Sequence, residues 1–275
     1  GQHFQSPTST FQWQLPINTQ KSPYIGQILR QTTVNENGLI DTLEISRRKI
    51  ADDALMGIVQ TLRDFPLKHL KLPGNDIGPL AIDAISTYVT HVHLETLDIG
   101  GKGVDEEVLI QLLTALNSPD RFPKTIAIQF SSEEMKGELD KHKIAGVLAK
   151  IIKNKDIVAE SITFSGPITV ADASEIVQSF SFNPHLKEIY MHSDHEQKYV
   201  SPAPELNAEI QHHFVDFASK LHDAVVGPES QCQIQKFYFP LFTEIYMYHD
   251  DIYSNWIETD AKINENLRSA SKKKT

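Results

Sequence analysis

The sequence predicts an α/β solenoid, in which strand-plus-helix units stack so that the strands form a parallel sheet and the helices cover one of its faces. Two periodicities predict it. An apolar strand pattern recurs every 27 residues in three consecutive copies, and each copy is followed at fixed offsets by an amphipathic helical pattern. Composition agrees: 275 residues, 40% hydrophobic and 23% charged, are enough to bury a core.

The strand signal is fullest in Leu67-Lys-His-Leu70-Lys-Leu72-Pro-Gly-Asn75-Asp-Ile77. The preceding copy is Ile40-Asp-Thr-Leu43-Glu-Ile45, closing at Ile50, and the following one is Leu94-Glu-Thr-Leu97-Asp-Ile99, closing at Val104. Leu43, Leu70 and Leu97 are spaced 27 and 27 residues apart. Behind them come Ala54, Leu55, Ile58 and Leu62; then Ala81, Ile82, Ile85 and Val89; then Val108, Leu109, Leu112 and Leu116. Steps of three and four place each set on one helix face. Agreement of strand and helix in three copies is specific, whereas one strand alone would be weak.

Later copies diverge. Ile126 and Ile128 form a fourth strand, with Ile144, Ala145, Leu148 and Ile152 displaced behind it. Glu133 to Lys143 therefore reads as an inserted, charged helical extension, either a solvated face or a rim contact. Ile162 and Phe164 form a fifth strand, backed by Ala173, Ile176, Val177 and Phe180. Ile189 and Met191 form a sixth, and Phe237 and Phe239 a seventh after a long helix from about Pro204 to Val226. Each unit alone leaves its faces open, so neighbours must stack and the ends need caps. The expected division is an N-terminal cap at 1–38 (with Phe11, Trp13, Ile25 and Ile28), repeats at 39–200, and an irregular last repeat with a C-terminal helical cap at 201–275. Ser269 to Thr275 are expected to be disordered.

The L-x-x-L-x-L-x-x-N pattern resembles a leucine-rich-repeat solenoid, and the repeat length with a true helix resembles the ribonuclease-inhibitor-like subclass. The resemblance covers residues 39–191 well and the remainder loosely. It implies right-handed strand–helix repeats with a concave parallel sheet and outer helices, and a protein-binding role on that sheet or its rim. The copies depart from the pattern: the Asn75 position is Arg48 in the first and Lys102 in the third. That degeneracy, with the insertions, is similar to leucine-rich-repeat effectors of Legionella-type bacteria. It implies a protein secreted into a host cell cytosol, where it binds and regulates a host protein or another effector.

Charge and composition narrow the partners. Net charge is −10 with three cations at Lys272, Lys273 and Lys274, so residues 1–271 carry −13. Such a field disfavours nucleic acid and favours a basic protein patch. No stretch is apolar enough for a membrane span, and Gly1 to Thr10 lack a signal pattern. One cysteine, Cys232, excludes an intrachain disulfide and fits a reducing, cytosolic setting. The chain is expected to be a monomer and to use no cofactor.

In an alternating strand the leucines turn inward and their neighbours outward. The outward row is Glu44, Lys71, Asp98, Ala127, Thr163, Tyr190 and Tyr238. Flanking it are Ser46, Pro73, Gly100, Gln129, Ser165 and His192 on one side, and Thr42, His69, Thr96, Glu188 and Lys236 among those on the other. Glu44, Glu95, Asp98 and Glu188 would steer a basic partner. Protein-binding candidates are thus Glu44, Lys71, Glu95, Asp98, Gln129, Glu188, Tyr190, His192 and Tyr238. The tyrosines either anchor a partner or are covered by the 204–226 segment or the C-terminal residues. The aromatic run Phe237 to Tyr248 is either closing core or an exposed patch.

Catalytic and metal signatures are weak. His192-Ser-Asp194-His195, His212-His213 and His249-Asp250-Asp251 bring ligand types together without a converging fourth group. Cys232 has no elbow or oxyanion signature, and Gly100-Gly-Lys102-Gly reads as a turn rather than a phosphate loop. The function expected is a protein–protein interaction module, not an enzyme. The alternatives are a hydrolase with an unrecognised site, tested at Cys232, and a structural scaffold without a single partner.

Overall fold

The computed structural model describes residues 32–34, 36, 40–62, 66–102, 104–131, 142–166, 168–193, 208–243 and 250–274. The chain divides into two compact units, Gly1–Phe130 and Ser131–Thr275, each built of parallel strands alternating with helices. The proposed cap residues Phe11, Trp13, Ile25 and Ile28, and Glu133–Lys141 of the insertion, lie outside the described residues.

In the first unit, β1 (Thr32–Val34) runs antiparallel to β2 (Ile40–Glu44). Then come α1 (Asp52–Thr61), β3 (His69–Leu72), α2 (Pro79–Tyr88), β4 (Thr96–Lys102), α3 (Glu106–Leu116) and β5 (Thr125–Ser131). The 27-residue repeat is the register of the sheet: Leu43 lies opposite Leu70, and Leu70 opposite Leu97, in parallel pairs. The three leucines are buried with Ile45, Leu72 and Ile99, and the helix residues Leu55, Ile58, Ile82, Ile85, Leu109 and Leu112 are buried with them. Neighbouring helices α1, α2 and α3 pack in order. Truncating one such leucine costs about 2–5 kcal/mol.

The expected turn at Gly100 is corrected: β4 continues through Gly100 and Gly101 to Lys102. A Cβ on Gly100 would stand 2.7 Å from the Gln129 carbonyl oxygen, and one on Gly101 2.6 Å from that of Ile77. The glycines are there for close backbone approach rather than to end the strand.

Polar side chains tie successive copies together. Asn75, 3% exposed, accepts from the main-chain N–H of Arg48 and Ile50 at 3.3 Å each and donates to the carbonyls of Ile45 at 2.7 Å and Leu72 at 3.2 Å. Asp52, in the first turn of α1, caps the next helix: its carboxylate accepts from Gly78 and Ala81 N–H at 2.8 Å and Leu80 N–H at 3.0 Å. Those are the orphan donors of the α2 N-terminus, where Pro79 has none to offer. Leu67 N–H donates to the Tyr88 hydroxyl at 3.0 Å, while burial pushes that phenol up to about 12.

The second unit contains α4 (Lys143–Lys153), β6 (Ser161–Gly166), α5 (Val170–Gln178) with a 3-10 turn at Ser179–Phe182, and β7 (Glu188–Ser193). It continues with α6 (Ala208–Val226), β8 (Lys236–Tyr238), α7 (Pro240–Thr243) and α8 (Asp250–Lys272). Strands β6, β7 and β8 are parallel neighbours, with Ile162 opposite Ile189 and Ile189 opposite Phe237. Helix α6 packs between α5 and α8, so it joins the helices rather than covering Tyr190 and Tyr238.

Phe217 contacts Phe237, Phe239 and Phe242, and Trp256 contacts Phe237 and Phe242. Phe239 and Phe242 of the aromatic run are therefore core, Phe237 is half-buried and Tyr238 exposed; residues 244–248 lie outside the described ones. The expected disorder from Ser269 is corrected too, because α8 continues through Lys272. Its last turns are held by Arg268 donating to the Asn264 carbonyl and Ser271 to that of Leu267, with Lys272 favourably placed at the C-terminal end of the dipole.

Candidate functional site

Because Leu43, Leu70 and Leu97 face the core, Glu44, Lys71 and Asp98 stand on the opposite face of the first unit's sheet, side by side in register. Glu44 is exposed, and Lys71 and Asp98 are half-buried. The row alternates sign. Asp98 differs from the other two because its Oδ1 is buried without a hydrogen-bond partner. Burial raises its carboxyl above the ordinary range, Lys71 opposes that rise and Glu44 adds to it. Beside this row the His69 ring meets the Thr96 hydroxyl at 3.0 Å.

Gln129 is exposed on β5. Glu95 immediately precedes β4 and stands outside the three outward rows, with its carboxylate 4.0 Å from the Lys68 ammonium. Both side chains are more than half exposed, so this pair adds little stability.

The second unit carries the aromatic candidates. Tyr190 lies opposite Tyr238 in the β7–β8 pair, with ring centroids 6.4 Å apart. His192 stands 5.3 Å from the Tyr238 ring. Tyr238 is 44% exposed, while Tyr190 and His192 are half-buried. One step earlier, the Lys236 ammonium reaches Glu188 at 3.2 Å; that hydrogen bond and the Glu188 charge raise its pKa. The patch is thus two tyrosines and an imidazole bordered by a neutralised ion pair. Such rings bury much area with few torsions to freeze.

The catalytic candidates are dispersed. Cys232 is buried, and desolvation pushes its thiol up to about 11, leaving little thiolate at neutral pH. His212 and His213 are neighbours on α6, with ring centroids 6.1 Å apart. Asp194, His195 and His249 lie outside the described residues. Among the described residues no three His, Cys, Asp or Glu groups gather to hold a metal, and no helix is long and apolar enough to cross a membrane.

Sequence reasoning missed two carboxylates that organise helix starts. Asp52 is one. Asp172 is the other: it closes a capping box with Thr169 and also accepts from His142, through the main-chain N–H at 2.7 Å and ring Nδ1 at 2.6 Å. The Thr169-x-x-Asp172 spacing is a readable capping signal, but the cross-helix bond to His142 has no local signature.

No protein-family model matches the chain, and no curated protein is significantly similar to it.

Proposed function

We propose that the chain is a leucine-rich-repeat protein of the ribonuclease-inhibitor-like subclass that acts by binding a basic protein partner on the open faces of its sheets. The 27-residue strand register and the role of Asn75 support the repeat assignment. The observation that carries the binding reading is Asp98. A half-buried carboxylate in a row with Glu44 and Lys71, one oxygen of which is buried without a donor and whose charged form the fold disfavours, is a group whose charge a partner's guanidinium or ammonium docked over the row would stabilise. Tyr190, His192 and Tyr238 are candidate aromatic anchors on the second unit. The degenerate copies and the acidic balance support the setting of a secreted effector that regulates a host protein or another effector.

The test is affinity capture with the full chain as bait, in host-cell and bacterial lysates separately, beside a folded variant carrying Asp98→Lys, Tyr190→Ala and Tyr238→Ala. A protein retained by the wild type, lost by the variant and less well retained as salt rises is the expected result. Equal retention by both baits would overturn the sheet-face reading.

A further inference from the structure

The last helix, α8, keeps a row of side chains exposed on its outer side, three of them large and apolar. Its inner side is settled: Ile252, Thr259, Ile263 and Asn266 are buried, Asn266 donates to the Ile234 carbonyl at 3.0 Å, and Glu258 meets His222 of α6 at 2.7 Å. On the outer side Tyr253 is 46% exposed, Ile257 48% and Leu267 36%. Together with exposed Asp260, Asn264 and Ser271 they form one row at steps of four and three residues. That spacing is the seam of a two-helix coiled coil.

The row is complementary to its own reversal. Turned antiparallel about its centre, Tyr253 meets Ser271, Ile257 meets Leu267, and Asp260 meets Asn264, each pair occurring twice. Two apolar contacts then flank a carboxylate–amide contact, in which Asn264, which already donates to Asp260 of its own helix at 3.2 Å, has a second N–H for the Asp260 of the other copy. Charge is polarised in the same sense. Asp250, Asp251, Asp260 and Glu258, the last already against His222, occupy the first half, Lys262 and Glu265 offset one another near the centre, and Arg268, Lys272, Lys273 and Lys274 close the second. An antiparallel pair puts each acidic end beside a basic one; a parallel pair would stack like charges.

We propose that a second copy of this chain docks on the outer face of α8, with the two helices antiparallel about a two-fold axis. This goes beyond the partner-binding reading and stands independently of it. The interface is isologous, as a two-fold requires. Its seam holds few large apolar groups, and each chain is acidic overall, so the pair forms reversibly and shows strong concentration dependence. This departs from the monomer expected from the sequence.

The experiment is sedimentation equilibrium of the full chain over a wide concentration range, with circular dichroism confirming that each variant is folded. The wild type is expected to pass from monomer to dimer. Ile257→Asp with Leu267→Asp, both at exposed sites, is expected to weaken the dimer at least about tenfold. Salt alone is a poor probe, because it screens both the attraction between helix ends and the repulsion between acidic chains. Charge exchange separates them. One variant carries Asp250→Lys and Asp251→Lys, and another carries Lys272→Glu, Lys273→Glu and Lys274→Glu. Each alone is expected to associate less than wild type, and an equimolar mixture to associate better than either, since both ends are then complementary. A wild type that stays monomeric throughout would overturn the proposal and leave the face to a different protein. A dimer indifferent to the Ile257 and Leu267 changes, or a mixture no better than its components, would overturn it equally.

Discussion

Asn75 donates to the main-chain carbonyl of Ile45, 30 positions earlier, at 2.7 Å, and so fastens one repeat to the turn of the one before it. Its amide uses both hydrogens and both lone pairs on backbone groups. Asn75→Ala would take this partner from the N–H groups of Arg48 and Ile50 and from the carbonyls of Ile45 and Leu72. Each such loss costs about 1–3 kcal/mol, and water entering the space vacated by the side chain recovers part of it. The expected outcome is a loss of about 2–4 kcal/mol, read as a lower urea midpoint with an unchanged slope.

Asp52 and Gly78 form a coupled pair. The carboxylate caps α2, and a Cβ on Gly78 would stand 2.7 Å from its Oδ2. Asp52→Ala is expected to cost about 1–2 kcal/mol as a lost cap. Gly78→Ala should cost a similar amount by pushing the carboxylate out of place. Once Asp52 is gone the added methyl has room, so the double variant should be less destabilised than the sum of the singles. Additive losses in a double-mutant cycle would contradict this geometry.

Asn75 was legible as a position of the repeat, whereas the Asp52 cap marks where the sequence stops being informative. The registers Leu43–Leu70–Leu97 and Ile162–Ile189 were readable because burial imposes a period on apolar residues, and the structure pairs those residues. The step from Ile189 to Phe237 was readable only as an aromatic pair after a long helix, since α6 breaks the period. Asp52 looks like an ordinary solvated charge and Asp172 shows only its local capping signal, while their distant partners, Gly78 and His142, are 26 and 30 residues away. The strand β1 passed unnoticed because Thr-Thr-Val is too short to show alternation. Of the candidate site, the outward rows were legible from alternation alone, whereas the buried, unpaired oxygen of Asp98 depends on its neighbours' shapes.

Cys232 should behave as a core thiol. Burial raises it to about 11, and its N–H is tied to the Ser230 hydroxyl at 3.1 Å. Alkylation at neutral pH is expected to be slow in the native protein and at least about a hundredfold faster in denaturing urea, because reaction requires opening of the surrounding structure. Native labelling as fast as that of the unfolded chain would contradict this burial and reopen the nucleophile alternative.

Asp98 should set stability against binding. Its carboxyl is raised in the fold by desolvation, so the native state holds its proton to higher pH than the unfolded chain does. Below the unfolded carboxylate value this has no effect. As pH climbs from there through the raised native value, stability is lost, and above it the full penalty remains. Asp98→Asn should therefore stabilise the free protein at neutral pH and leave it nearly unchanged at low pH, so that the gap between variant and wild type widens across the acid limb of a plot of thermal midpoint against pH. A basic partner reverses the sign, because a cation beside Asp98 favours the charged form. Binding should strengthen as pH rises through the native Asp98 value, and Asp98→Asn should abolish that dependence together with much of the affinity. A variant that is more stable at neutral pH yet binds less well is the expected signature. One that loses stability at neutral pH would place the Asp98 carboxylate in the fold's own support rather than in recognition.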